Sequence, residues 1–539
     1  MSAINHLARG RACIDCRRRK VKCDGALPAC KRCVAGGHGL DCEYADERAK
    51  TRVQLLEDSI KTLEAKIAEL QSPAPLQHPV LIIHVPGRGG FAQRNSDSPL
   101  RLVRPEPTVP PVSNLSLPDC WWELPELPLE ISKLFMDYFA LIAYQLGFFM
   151  HGPRLVQAMF PSSKQSELHL PSPNLVNAIY LWGIHLSEDE RFLEHESTFL
   201  ERAVQFDLKG QQSHHVVHNI QAEILLANYF LRRGKPSSAM HRLHSAISLC
   251  ISYGLHKQAS PQSAALRLPP PRDSVEQGER IDAFWAALFF YKLLSVQAHT
   301  SSRVSVIVDE MVDTPFSLEM SAYESGSVPA NPRGILTLKS FLDAPGRDPP
   351  QSTLESIVKA ASLYERARYF GVEWQSVLWD PEEDTQFRKF EQQLINFIQS
   401  FPHLSQFVGP YTNFAWLSAS TLLQLAVIYL HSSRKHVDSN QKCLDAAHAA
   451  ANMITNFKNA QSIPLVNPTM GHLWFTVCET LIGGIREMYQ LSGGNVVHGS
   501  YEHLVQSLKV IIDAMEASGM SAQLMRVNTM IKCKDQNSS

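Results

Sequence analysis

Between Cys13 and Cys42 the chain reads CIDCRRRKVKCDGALPACKRCVAGGHGLDC, six of the eleven cysteines in a 539-residue protein. The spacing is Cys13-x2-Cys16-x6-Cys23-x6-Cys30-x2-Cys33-x8-Cys42, two halves of one form: a C-x2-C pair, a short segment, a third cysteine. A C-x2-C pair offers two thiolates to one ion from a single turn, and zinc takes four ligands in a tetrahedron at about 2.3 Å from sulfur. A single ion would leave two of the six sulfurs unused. Two ions need eight ligand positions, which these sulfurs fill if the first of each half, Cys13 and Cys30, bridges. Cys13, Cys16, Cys23 and Cys30 then hold one ion, and Cys30, Cys33, Cys42 and Cys13 the other. The rival reading is a disulfide framework, which requires an oxidising compartment and usually a small secreted chain. The N-terminus, MSAINHLARGRACIDC, has no apolar signal segment, so an intracellular protein with reduced thiols is expected.

The charge around these cysteines is concentrated. From Arg9 to Arg32 there are nine basic residues against two acids, although the whole chain carries a formal net charge of only -2. Two zinc ions and six thiolates sum to a small negative charge, which uses some of this excess but not all. The remainder suits the phosphates of a nucleic acid. Phosphate contacts orient a protein without reading sequence, whereas Lys or Arg on the O6 and N7 of guanine reads it.

The spacing and its basic filler resemble the fungal zinc binuclear cluster transcription factors, whose pattern is C-x2-C-x6-C-x5–12-C-x2-C-x6–8-C. The likeness extends to RxCxxCRxRKxKCD, present from Arg11 to Asp24, and to the loop proline, here Pro28. It implies the bridging argued above and two Zn2+ per chain. It implies also that the end of the first short helix enters the major groove over a CGG-type triplet. Lys20 would contact bases there and Arg19 is a second base-reading candidate. Arg11, Arg17 and Lys22 would mainly hold phosphates, and Arg18 completes the DNA-binding set.

After a polar linker at 46–52 comes VQLLEDSIKTLEAKIAELQ (53–71). Val53, Leu56, Ile60, Leu63, Ile67 and Leu70 recur in alternating steps of three and four, the seam of a coiled coil. β-branched residues at a (Val53, Ile60, Ile67) with leucines at d (Leu56, Leu63, Leu70) favour a parallel pair, hence a homodimer carrying two clusters. Pro73 and Pro75 end it, and a proline-rich linker runs over 72–128. Trp121 and Trp122, near its end, read as the lead-in to the next domain.

From Leu129 to about residue 532 the apolar period is helical throughout, so the fold class is all-α: a small N-terminal cluster (9–45), a short parallel coiled coil and a large multi-helical regulatory domain. FMDYFALIAYQLGFFM (135–150) reads as one core helix. Residues 220–250 read as two helices joined at RRGKPS, an αα-hairpin. SAISLCISYGLHK (245–257) and GERIDAFWAALFFYKLLSV (278–296) resemble segments of the fungal-specific transcription factor domain, the middle homology region. Lys292 and SSRV (301–304) depart from that family's Asp-Arg and Gly-Arg-Pro. HHVVH (214–218) lacks a flanking ligand and reads as capping or solvated, and PGRGG (86–90) lacks the Lys of a phosphate loop. The scattered Cys120, Cys250, Cys443, Cys478 and Cys533 read as small buried hydrophobes.

These readings converge on a nuclear, homodimeric, sequence-specific regulator of RNA polymerase II genes, not an enzyme, whose partners are CGG-type duplex DNA and transcription machinery or co-regulators, with no membrane. RRRKVK also suits nuclear import. The alternatives are a zinc-dependent protein-interaction module, or a helical effector-binding protein, without base-specific readout.

Overall fold

The computed structural model describes residues 12–26, 30–36, 117–160, 170–205, 215–258, 268–297, 311–328, 337–345, 350–373, 381–401, 410–432, 437–460, 467–491 and 498–532. Every regular element among them is a helix. The chain divides into two compact units, 1–92 and 93–539. The expected coiled-coil positions Val53, Leu56, Ile60, Leu63, Ile67 and Leu70, together with Arg11, Cys42 and Cys533, lie outside the described residues.

In the first unit the described helices are Ile14–Arg18 and Lys31–Ala35. Five residues make barely more than one turn, far below the length at which a helix persists unaided. What they share is a buried cluster of Cys13, Cys16, Cys30 and Cys33, against which Val21 and Cys23 pack.

The second unit begins its packing before the helices do. Trp121 is 2% exposed and lies 5.4 Å edge-on from Phe192 and 5.8 Å stacked on Phe199. Trp122 stacks on His195 at 3.8 Å. The tryptophans therefore anchor the lead-in segment to the core. Cys120 departs from expectation: it is exposed, with a left-handed φ of 54°, because it turns the chain into the short Trp121–Glu123 helix. Cys250, Cys443 and Cys478 are buried as expected.

The single helix expected over 135–150 is two. Leu129–Ala140 stops, and a 3-10 turn at Ala143–Leu146 ends at Gly147, φ +74°. A buried glutamine explains the break. Gln145 holds Asn467 through both its backbone carbonyl and its side chain, and the Nδ2 of Asn228 donates to the carbonyl of Leu146 at 3.2 Å. A β-carbon on Gly147 would stand 2.1 Å from the ring of Phe290, so only glycine passes there.

The αα-hairpin is formed by Val216–Arg232 and Pro236–Ser252. Gly234 supplies the left-handed residue between them and Pro236 opens the second helix at its first position. Ser274–Gln297 is buried almost all round and runs through the middle of the unit. Thr353–Glu373 packs along it and along Pro410–Ser432. At the closest point the latter two helices leave no room for a side chain: a β-carbon at Gly371 would lie 2.4 Å from the carbonyl oxygen of Tyr429. Asn413–Ser432 is long and apolar enough to cross a membrane, but 89% of it is buried inside the protein, the character of a core helix.

Candidate metal centre and nucleic-acid interface

The centre starts from two N-caps. Cys13 precedes the first short helix and its sulfur accepts the N–H of Cys16 at 3.4 Å. Cys30 precedes the second and accepts the N–H of Cys33 at 3.3 Å. A sulfur at this position does what a Ser or Asp cap does, but with a lone pair still available to a metal. The two cysteines that the spacing picks as bridges thus occupy equivalent places in the two halves. The Cys33 N–H, above all, lowers the Cys30 thiol to about 6. Burial, above all, pushes the Cys16 thiol up to about 12. A divalent cation among these sulfurs would reverse that, since a coordinated thiol is deprotonated outright.

The distances fit such an ion. Cys13 and Cys30 sulfurs are 3.8 Å apart and Cys16 and Cys30 are 3.6 Å apart. Tetrahedral sulfurs at about 2.3 Å from zinc stand ~3.8 Å from each other. The sulfurs of Cys13, Cys16, Cys23 and Cys30 all lie within 4.8 Å of one another, the four assigned to the first ion. Cys33 joins them at 3.8 Å from Cys13 and 3.9 Å from Cys16. These spacings are far beyond the roughly 2.05 Å of a disulfide, and none of the described cysteines is in a disulfide. Two zinc ions suit this donor set, and their chemistry here is structural: they supply folding free energy to a segment without another core.

The basic residues lie on the outside of this centre. Arg17, Arg18, Arg19, Lys20 and Lys22 are all exposed, while the cysteines beneath them are buried or half-buried. The first helix ends by a specific device. Val21 donates to the carbonyl of Cys16 at 3.0 Å and Lys20 to that of Arg17 at 3.2 Å. This is the Schellman pair of bonds, and it requires a left-handed residue at Lys20, whose φ is 53°. A side chain there costs roughly 1–2 kcal/mol relative to glycine. The bend turns Lys20 out at the helix terminus, past the last helical residue.

Two features of the site escaped sequence reasoning. The left-handed backbone at Lys20 has no signal, because lysine is not a residue that predicts such a turn. The second is Asp24, whose Oδ1 accepts the N–H of Lys31 at 3.1 Å and so ties the first half to the start of the second helix. An acid directly after Cys23 was a visible feature, but its partner seven residues on was not. The histidines of HHVVH show no metal geometry among the described residues. The Nδ1 of His218 instead accepts the N–H of Ser172 at 3.1 Å, and His215 lies 3.2 Å from the carbonyl of Leu170.

Comparison with known proteins agrees with this geometry. Residues 11–52 match the fungal Zn(2)-Cys(6) binuclear cluster domain. The chain is similar to the citrinin biosynthesis transcriptional activators of Monascus ruber and Monascus purpureus, at 28% identity over 324 residues in each case. These alignments cover 53% of this chain, and 60% and 53% of the two relatives, so the chain spans little more than half their length. Over 59 residues it is 48% identical to the nitrogen assimilation transcription factor nit-4 of Neurospora crassa, covering 10% of this chain and 5% of that one. No solved structure matches. Residues 11–52 of the chain thus carry a fungal Zn(2)-Cys(6) binuclear cluster domain.

Proposed function

We propose that this protein is a nuclear, sequence-specific, zinc-dependent regulator of RNA polymerase II genes that reads CGG-type triplets as a homodimer. The observation that carries the reading is the union of a sulfur cage at zinc spacing with an exposed run of cations at the end of the helix it clamps. Cys13, Cys16, Cys23 and Cys30 would hold one zinc, and Cys30, Cys33, Cys42 and Cys13 the other. Lys20 would meet base edges, with Arg19 beside it, while Arg11, Arg17, Arg18 and Lys22 would hold phosphates. The heptad seam at Val53, Leu56, Ile60, Leu63, Ile67 and Leu70 would set two such heads side by side, so that the polar linker fixes half-site spacing.

The two Monascus relatives support an activating role. Their alignments, at 324 residues, run far beyond the forty or so of the cysteine domain and so include much of the helical unit. The helical unit would then be the regulatory part and the surface for transcription machinery.

The test is selection of bound duplexes from a random pool by the zinc-loaded full chain. Enrichment of paired CGG-type triplets at one spacing is expected. Binding that stays indifferent to sequence, with an affinity governed by salt alone, would reduce the head to a charged interaction module.

A further inference from the structure

The helical unit holds a cavity of about 280 Å³. This is close to the lower bound of small-molecule sites, about 300–1,000 Å³. Its wall is mainly apolar and aromatic, with Phe148, Phe289, Phe290 and Leu473 among the contributors. The lining comes from segments far apart in sequence: the 144–153 turn, Ser274–Gln297, residues 317–324 and 352–357, Pro410–Ser432 and residues 467–473. A bound molecule would therefore touch both halves of the unit at once.

One buried polar group in that wall stands out. Asp282 is 6% exposed, and its Oδ1 accepts the hydroxyl of Ser317. Its Oδ2 makes no hydrogen bond among the described residues and is not sealed from the cavity it lines. The charges that act on it are Glu319 and Glu279, both of its own sign. Burial first, then these two acids, raise its carboxyl to about 8. Among the described residues no Lys or Arg lines the cavity, and its histidine, His151, is engaged with Glu324 at 2.8 Å. Glu319 and Glu324 add two more acids to the lining. A buried carboxyl normally has a cation or a full set of donors, because leaving it without them is costly. Here the described residues supply one donor and no cation, in a space large enough for a guest.

We propose that this cavity binds a small amphipathic amine, its apolar body among the phenylalanines and its ammonium on Asp282. Without a cation Asp282 keeps its proton at neutral pH; a bound ammonium would drive that proton to solvent and supply the donor and the countercharge of the carboxylate together. An alcohol of equal length would provide only a neutral donor. A carboxylate would meet acids alone. The proposal does not depend on how the N-terminal unit reads DNA.

The test uses the purified full chain and three probes of equal length: octylamine, octan-1-ol and octanoate. Calorimetric titration should give an order of amine, then alcohol, then acid, with the amine tighter than the alcohol by about tenfold, as a charge-assisted bond is stronger than a neutral one. Asp282→Asn should abolish that preference while leaving alcohol binding in place. Its unliganded melting temperature checks that it has folded. Should it fail to fold, a photoreactive octylamine analogue on the wild-type chain decides: labelling confined to the lining segments 144–153, 282–293, 317–324, 352–357, 414–422 and 467–473 supports the site, and labelling outside them overturns it. The proposal also fails if no probe binds, if octanoate or octanol binds as tightly as the amine, or if folded Asp282→Asn keeps the preference.

Discussion

Among the described residues, four α-helices of the helical unit end by the same turn that closes the first helix of the cysteine unit. At Gly234, Gly254, Gly326 and Gly519 φ is +68°, +71°, +66° and +65°, and the next residue bonds back to the carbonyl five positions earlier. The bonds are Lys235 to Phe230, Leu255 to Cys250, Ser327 to Ala322 and Met520 to Met515. In the cysteine unit Val21 bonds to Cys16 in the same way, but the left-handed position is Lys20, φ +53°. The helical unit uses the residue that makes the turn without strain. The head uses one that pays for it in backbone energy and keeps a long cationic side chain at the tip. Strain persists where the surroundings over-determine the backbone, and such positions cluster at functional sites. Here the surroundings are the sulfurs: Cys16 and Cys23 flank the turn on either side and belong to one cage.

The same comparison extends to what holds each unit together. Among the described residues of the head the buried side chains are cysteines, with Val21 packed against them. The helical unit has one continuous apolar core from Trp121 to Val527. Removing metal should therefore separate them cleanly, and this is the largest effect expected. Structural zinc contributes on the order of 10–16 kcal/mol of apparent binding free energy in small zinc modules. A chelator should abolish DNA binding and the ordered signals of residues 12–36, while the calorimetric transition of the helical unit stays where it was. A head that remained ordered without metal would break the contrast at its root.

A second, smaller effect belongs to the helical unit alone. Lys292 is fully buried, with Nζ 2.5 Å from Oε2 of Glu365, joining Ser274–Gln297 to Thr353–Glu373. Lys292→Met leaves Glu365 without its lysine and should cost about 3–5 kcal/mol in denaturant unfolding. Adding Glu365→Leu should restore most of that loss, because two apolar residues have no charge to desolvate. If the double variant is no better than the single, the pair is integral to the packing.

How far each unit could be read in advance follows from the same physics. Cysteine spacing is local: C-x2-C fixes two sulfurs near one point whatever surrounds them, so the sequence of Cys13 to Cys33 already announced the cage. Helical periodicity is local too, and the αα-hairpin at RRGKPS was legible from Gly234 and Pro236. What escaped was set by contacts distant along the chain. The break after Ala140 depends on Asn467 reaching Gln145, and the ion pair of Lys292 depends on Glu365. The exposure of Cys120 depends on Trp121 claiming the core beside it. Lys20 escaped for another reason: its backbone contradicts its residue type, and a pattern built on residue types cannot show that.

Glycines test the cost of side chains where helices approach. Gly371→Ala places a methyl against the Tyr429 carbonyl, a backbone atom that cannot turn aside. It should destabilise by about 1–3 kcal/mol, as overpacking does. Gly483 is also in a helix, and a β-carbon there would have nothing within 4 Å, so Gly483→Ala should cost nothing. Equal responses in thermal unfolding would mean that close approach is not what fixes Gly371.

Lys20→Gly is the smallest change in stability and the most pointed. It makes the head's turn like the four in the helical unit, and should raise resistance of the zinc-loaded head to unfolding by about 1 kcal/mol. It should also remove the proposed base contact, lowering the proposed preference for a CGG-type duplex over a scrambled one by about 1–3 kcal/mol. Lys20→Ala controls for the side chain alone: it loses the same preference but keeps the backbone strain, so it should not gain stability. The two variants must be compared on both readouts, by chelator-resisted unfolding and by competition between the two duplexes. Stability and selectivity moving in opposite directions in Lys20→Gly is the outcome expected of a residue kept for its side chain against its backbone. If Lys20→Gly lost stability instead, the lysine would be holding the cage, and the difference between the two kinds of helix end would be structural in both units.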